Sequence, residues 1–258
     1  MVSGASIAAM VFSLLISVGL PVAFLTYFRL RYKISFKAVG VGILVFIIFT
    51  QILEKLMHLY FLKYNVSTVQ FLKNPLAYAV YGCLAAGIFE ECGRFVAFKF
   101  LLKKVREWKG GIAYGIGHGG VEAIFTGMFA GINQLVNSIL INRGLLDKLA
   151  AKLPGVDISR LKEAMISAPS YTFAVVGYER AMAFLLQIAL SLLVLYGVKN
   201  GKSHLLLLAI LLHAAVDFPA ALYQKGALSL LAVEGILLAA GIISAVFITR
   251  SRKVFDRE

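Results

Sequence analysis

The chain has 258 residues, of which 60% are apolar and only 15% are charged. This composition excludes a disordered chain, which needs low hydrophobicity, and an ordinary soluble domain, which needs more charge. A helix that spans a bilayer uses about 20 mostly apolar residues, so the apolar content is enough for several spans. We therefore predict an all-α, multi-pass protein of the cell membrane, with one integral membrane domain over residues 1–258.

The net charge of +13 would indicate a nucleic-acid partner in a soluble protein. Here the basic residues cluster directly after apolar runs, for example Arg29 and Arg31 after the first run and Arg250 and Arg252 after the last. Basic residues in such positions face the cytoplasm and anionic lipids. The charge therefore predicts the lipid bilayer as a partner, and no nucleic acid.

Apolar runs separated by charged segments predict about seven transmembrane helices. The distribution of Lys and Arg among the loops predicts an N-terminus outside and a C-terminus in the cytoplasm. The loop at about 143–169 interleaves apolar and charged residues, which predicts an amphipathic helix lying on the membrane surface. In chain order, the predicted spans are about 5–28, 38–62, 76–102, 111–141, 170–198, 203–223 and 228–249.

Ionisable residues inside these spans are the strongest functional signal, because charge at mid-bilayer is costly and therefore rare. Residues four apart share one face of a helix, which pairs His118 with Glu122 and His213 with Asp217. At about 1.5 Å per residue from the nearest cytoplasmic basic residues, both pairs reach the middle of the membrane. The spacing therefore predicts one buried polar layer shared by several helices.

Two neighbouring glutamates lie on the third predicted span. Glu90 is four residues before Arg94 and Glu91 is three residues before it, so the arginine can reach either carboxylate. Adjacent helical side chains point about 100° apart. We expect one glutamate to face a cavity and the other to pair with Arg94.

Other polar features within the spans have a structural and a functional interpretation. Glu179 and Arg180 on the fifth span are predicted to support the site or to fix the packing of the helices. The glycines at 115–120 either let helices approach closely or open the helix around His118. The residues alone leave both alternatives open.

The chemistry of these groups is compatible with hydrolysis of a peptide bond. A carboxylate and an imidazole that share a water form a general base, and a second histidine can stabilise an oxyanion. The alternative is zinc with an open position for water, held by His118, Glu122, His213 and Asp217. From a different class of function, a proton- or cation-coupled transporter would use the same buried relay, and a non-catalytic scaffold would retain the fold.

Three short motifs lie in order on successive polar helices and cover about residues 76–220, the predicted catalytic core. The motifs are Glu90-Glu91-x-x-Arg94, Gly117-His118-Gly119-Gly120-x-Glu122 and His213-x-x-x-Asp217. Together they resemble the YhfC-like family of intramembrane proteases, which is related to the CAAX-protease and bacteriocin-processing (CPBP) group and to PrsW.

The resemblance implies a glutamic-type intramembrane endopeptidase that needs no cofactor and cuts a membrane-protein or lipidated peptide substrate. By position, Glu90 would be the base, His118 its partner, and His213 with Asp217 the oxyanion element. Glu91 and Arg94 would support them. Descriptions of the wider group as metalloproteases leave zinc open.

Two departures from the CAAX-type pattern affect the assignment of roles. Those proteins have Glu-Glu-x-x-x-Arg, one residue longer than the spacing here, and commonly have Asn where this chain has Asp217. The spacing and the His-x-x-x-Asp motif are closer to PrsW, which has a glutamate in its second motif. Glu91 and Glu122 therefore join the predicted catalytic residues.

Overall fold

A computed structural model describes residues 1–150 and 158–256. The described part is built from α-helices joined by short connections and contains no β-strand among the residues described. The helices are α1 (Gly4–Tyr32), α2 (Phe36–Tyr64), α3 (Val66–Phe71), α4 (Pro75–Val96), α5 (Trp108–Asn142), α6 (Leu145–Ala150), α7 (Ile158–Ser167), α8 (Ser170–Lys199), α9 (His204–Gln224) and α10 (Leu230–Phe255).

Several of these helices begin where a polar side chain satisfies the free backbone N–H groups of the first turn. Asn74 caps α4 by accepting from the N–H groups of Leu76 and Ala77, and Pro75 occupies the first helical position. Ser35 caps α2 by accepting from the Ala38 N–H. Such caps stabilise a helix start by about 1 kcal/mol each, which explains why these helices begin within a few residues of the predicted positions.

Six helices within the described residues are long and apolar enough to cross a membrane, namely α1, α2, α5, α8, α9 and α10. The prediction of an all-α, multi-pass membrane protein is therefore confirmed. The third predicted span corresponds to α4 and the π-helical turn Ala97–Leu101 that follows it. Because α4 carries Glu90, Glu91 and Arg94, it is not among the six, and the seventh span and the orientation stay predictions.

The chain divides into two compact units. The first comprises Met1–Ala23 and Ala123–Ala181, and its core includes Met10, Ile141 and Phe173. The predicted surface segment forms α6 and α7 here, with residues 151–157 outside the described part. Its position on the membrane surface stays a prediction, as does the organisation of the chain as a single membrane domain.

The second unit comprises Phe24–Glu122 and Met182–Glu258 and contains both histidine motifs. Within it, α9 packs extensively against α4. Helix α5 is unbroken through residues 115–120. A Cβ at Gly115 would lie 2.7 Å from the Ile188 backbone, and one at Gly119 would lie 2.7 Å from the Gln187 side chain. Gly115 and Gly119 therefore serve close packing of α5 on α8, and this helix is not opened around His118.

Candidate active site

Helix α4 directs its two neighbouring glutamates to different partners. Both oxygens of Glu91 lie 2.6 Å from Nη1 of Arg94, and neither side chain has any exposed surface. Glu90 instead contacts His118 on α5, with 3.0 Å between Oε2 and Nε2. Glu91 is therefore the glutamate that pairs with Arg94, whereas Glu90 faces His118, and a cavity beside Glu90 stays a prediction. The roughly 100° between adjacent helical side chains accounts for the separation.

One carboxylate oxygen of Glu90 lies close to side chains from three other helices. Besides His118, Oε2 of Glu90 lies 2.8 Å from Nε2 of Gln187 on α8 and 4.0 Å from Nε2 of His213 on α9. All four side chains are buried, Glu90 being 5% exposed and His118 fully enclosed. A carboxylate only accepts hydrogen bonds, so its contact with His118 places a proton of that ring on Nε2.

Aromatic rings hold His118 in this orientation. The Tyr114 ring is stacked on the imidazole with centroids 5.8 Å apart, and the Phe46 ring meets it edge-on at 5.5 Å. The Tyr114 hydroxyl is 3.5 Å from Nδ1 of His118. The imidazole therefore has few orientations available, which favours a fixed contact with Glu90.

His213 is placed between two acids. Its Nδ1 lies 2.8 Å from Oε1 of Glu91, and its Nε2 lies 3.5 Å from Oδ2 of Asp217, one helical turn further along α9. The His213 side chain is 4% exposed, whereas that of Asp217 is 42% exposed. The predicted His213–Asp217 pair is therefore present. Glu91 contacts both His213 and Arg94, so it connects this pair to Arg94.

Gln187 on α8 bonds to site residues on both α4 and α5, and its role was not predicted from the sequence. Its Nε2 lies 2.8 Å from Oε2 of Glu90 and 2.7 Å from Oε2 of Glu122, while its Oε1 accepts from Nη2 of Arg94. The sequence signal was the presence of ionisable residues within the spans, and a glutamine side chain is not ionisable. The available signal was an amide in the middle of an apolar transmembrane stretch, where polar side chains commonly bond between helices.

Three of the site residues have the donor set and spacing for a metal ion. One ligand atom each from Glu90, His118 and Glu122 lie within 4.8 Å of one another. Zinc prefers imidazole nitrogen and carboxylate oxygen, and catalytic sites use three protein ligands and leave one position open. The residues therefore fit a divalent metal. His118 and Glu122 belong to the zinc set predicted from the sequence, whereas His213 and Asp217 form a separate pair here.

Glu179 and Arg180, the two predicted supporting residues, belong to the other compact unit. Within that unit, Nη1 of Arg180 lies 3.2 Å from the Thr126 hydroxyl. This bond connects α8 to α5, as expected of a polar contact that fixes helix packing. A supporting role of these two residues at the site stays a prediction.

A second, partly buried polar cluster lies on α2 and α4 and was not predicted from the sequence either. Oε1 of Glu54 is 3.2 Å from Nε2 of His58, and Nδ1 of His58 is 2.8 Å from the Tyr81 hydroxyl. Glu54 is 7% exposed and ends a π-helical stretch of α2. The Glu54–His58 spacing of four residues was the available sequence signal.

The helical fold and the buried cluster of carboxylates and histidines together define a multi-pass membrane protein with a polar site inside its apolar helices. Residues 13–238 match the family model described as YhfC intramembrane metalloprotease. A Bacillus subtilis (strain 168) relative described as "Uncharacterized membrane protein YhfC" is 39% identical over 261 residues, covering 99% of this chain and 100% of that protein. The chain therefore belongs to the YhfC intramembrane metalloprotease family.

Membership of this family confirms the resemblance predicted from the three motifs and supports an intramembrane peptidase. It does not favour the transporter alternative. The wider relationship to the CAAX-type group and to PrsW stays a prediction. No solved structure matches the chain.

Proposed function

We propose that the protein hydrolyses a peptide bond within or beside a membrane-embedded segment of its substrate. The observation that carries this proposal is the 3.0 Å contact between Glu90 and His118, with His213 on a third helix 4.0 Å from the same Glu90 oxygen. Buried carboxylate–imidazole pairs of this kind can activate water. A site surrounded by apolar helices suits a membrane-protein or lipidated peptide substrate.

The residues of the chain account for each proton that the reaction moves. The Glu90 carboxylate takes a proton from water as the water oxygen attacks the carbonyl carbon, and the contact with His118 orients that carboxylate. When the C–N bond breaks, the same proton passes to the leaving nitrogen. The products are a carboxylic acid and an amine, so atoms and charge balance.

His213 is suited to stabilise the oxyanion that forms during this attack. An imidazolium has an N–H at each nitrogen, and a carboxylate oxygen faces each nitrogen of His213, from Glu91 at Nδ1 and from Asp217 at Nε2. These contacts favour a ring that can donate from Nε2. Removal of one such donor typically lowers kcat by about 10²–10³-fold.

The glutamic-type mechanism that the sequence resemblance implies uses Glu90 and His118 without a metal. The metalloprotease type would use Glu90, His118 and Glu122 as ligands, in agreement with their donor spacing. A divalent metal held there would polarise the substrate carbonyl and acidify a water. Elemental analysis of active, purified protein decides between the two types, because stoichiometric zinc would overturn the glutamic type and leave hydrolysis unaffected.

The test of the proposed function is cleavage of a panel of fluorogenic transmembrane and lipidated reporter peptides by the purified protein in liposomes. Glu90→Gln, His118→Gln and His213→Gln are expected to lower kcat by about 10²-fold or more, as for loss of a general base or an oxyanion donor. Glu107→Gln is the matched control, because Glu107 is exposed and pairs with Lys109. Cleavage that survives in all three site variants would contradict the assignment. Flux driven by a pH gradient without cleavage would support a transporter instead.

A further inference from the structure

We infer that Gln187 is a positioning residue that holds Glu90 and Glu122 in the arrangement needed for the reaction. This inference rests on the proposed function, since it assigns a role within the same site. Gln187 is 2% exposed and lies in the middle of α8, a helix that carries none of the three motifs. Its three polar contacts reach α4 and α5.

Arg94 determines which way the Gln187 carboxamide points. A guanidinium has only donors, so the group that accepts from Nη2 of Arg94 must be the amide oxygen. The buried pair with Glu91 in turn holds the guanidinium through its Nη1. Because the amide oxygen is held on that side, the amide NH₂ faces the opposite side, where Glu90 and Glu122 lie.

The two N–H groups of Gln187 match the two carboxylates. Nε2 lies 2.8 Å from Glu90 and 2.7 Å from Glu122, so each acid receives one hydrogen bond. Like-charged carboxylates repel in a medium of low dielectric, and a neutral double donor brings them together without adding a charge. A leucine of similar size would leave both acids without this donor.

Helix α5 approaches Gln187 closely at Gly119. A Cβ at Gly119 would lie 2.7 Å from Cβ of Gln187, so the glycine allows α5 to approach Gln187 closely. The Ser191 hydroxyl donates to the backbone carbonyl of Gln187, with 2.6 Å between the oxygens. These contacts hold the backbone of Gln187, and the three side-chain contacts fix the orientation of its carboxamide.

Two substitutions separate the positioning role from packing. Gln187→Glu keeps an oxygen for Arg94 but replaces the two donors with an acceptor facing Glu90 and Glu122. Gln187→Leu removes all polar contacts. Gln134→Leu is the matched control, because Gln134 lies on α5 in the other compact unit and its buried side-chain oxygen has no hydrogen-bond partner.

The experiment measures kcat and KM on the best reporter, and in parallel the infrared carboxylate stretching bands of protein labelled with ¹³C-glutamate. We expect kcat of Gln187→Glu and Gln187→Leu to fall by about 10–100-fold, as for other residues that orient the groups in direct contact with the reaction. KM is expected to stay near the wild-type value, because the lost contact acts on the transition state. The bands of the wild-type glutamates should shift in both variants and stay unchanged in Gln134→Leu. The carboxylate introduced by Gln187→Glu adds a band of its own, which is not counted as a shift.

Unchanged bands of the wild-type glutamates or an unchanged kcat in Gln187→Glu would overturn the inference, even if Gln187→Leu fails to fold. The infrared measurement does not depend on turnover. If the wild-type protein cleaves no reporter, the proposed function fails, while shifts in the bands of the wild-type glutamates would still support the placement of the two acids by Gln187.

Discussion

Glu91 and Arg94 form a fully buried ion pair three residues apart on α4, and this pair frees the adjacent Glu90 to face His118. Without a partner for Arg94, a buried guanidinium would compete for Glu90 itself. The pair also holds His213 through Glu91 and Gln187 through Arg94. A single ion pair therefore orients the groups on both sides of the proposed reaction centre.

Arg94→Met is expected to destabilise the protein by about 3–5 kcal/mol, because it leaves the buried Glu91 carboxylate uncompensated. The double variant Glu91→Leu with Arg94→Met should recover part of this loss, since no unpaired charge remains. Unfolding in mixed detergent micelles measures both, with Arg31→Met at an exposed arginine as the control. An Arg94→Met protein as stable as that control would contradict the role of the pair.

His213 and Asp217 should differ in their importance although they form a predicted pair. The Asp217 side chain is 42% exposed and lies 3.5 Å from the ring, whereas Glu91 holds the other nitrogen at 2.8 Å in a buried setting. An exposed ionic contact contributes about 1 kcal/mol or less, so Asp217→Asn should lower kcat by less than about tenfold. His213→Gln should lower it by about 10²-fold or more. Equal losses in the two variants, measured by reporter cleavage, would argue against this ranking.

The sequence predicted the helices and the charged part of the site for a physical reason. Apolar runs in a bilayer protein must form helices, because no water satisfies an exposed backbone there. The positions of Glu90, His118 and His213 along those runs predicted similar depths in the membrane. Similar depths placed the three residues in one layer. The choice of Glu91 as the partner of Arg94 required the structure, since either glutamate could reach it.

The neutral and aromatic parts of the site were not predictable in the same way. Gln187 carries no charge, and nothing along α8 shows that it meets Arg94, Glu90 and Glu122 from other helices. The role of Gly119 was left open as well, because a small residue both packs closely and weakens a helix. The unbroken course of α5 and the close approach of Gly119 to Gln187 distinguish the two roles.

Zinc is expected to bind to the purified protein in one equivalent and to stabilise it, because Glu90, His118 and Glu122 offer three suitable donors. A ligand at about 100 times its Kd stabilises the folded state by about 2.7 kcal/mol. Thermal unfolding in detergent with added Zn²⁺ or chelator measures this effect. Glu122→Gln should lose most of it, and Glu107→Gln should keep it. A metal-free protein that cleaves the reporter fully in chelator would instead support the glutamic-type mechanism.

The approach of α9 to α4 at Gly87 should be essential for the position of His213. A Cβ at Gly87 would lie 2.8 Å from the Ile210 carbonyl oxygen and 3.6 Å from Cβ of His213. Gly87→Ala must therefore push the helices apart, and we expect it to cost about 1–3 kcal/mol of stability, as overpacking does. It should also lower kcat, because His213 moves with α9.

Gly82 on the same helix provides the matched comparison, because a Cβ there meets nothing within 4 Å. Replacing a glycine by alanine in an unobstructed helix stabilises it by up to about 1 kcal/mol, so Gly82→Ala should melt at or above the wild-type temperature. The melting temperature is expected to fall in Gly87→Ala and to stay the same or rise in Gly82→Ala. Melting curves in detergent measure this difference, and reporter kinetics measure kcat in the two variants. If Gly87→Ala melts as high as Gly82→Ala and cleaves normally, close contact of the two helices does not position His213.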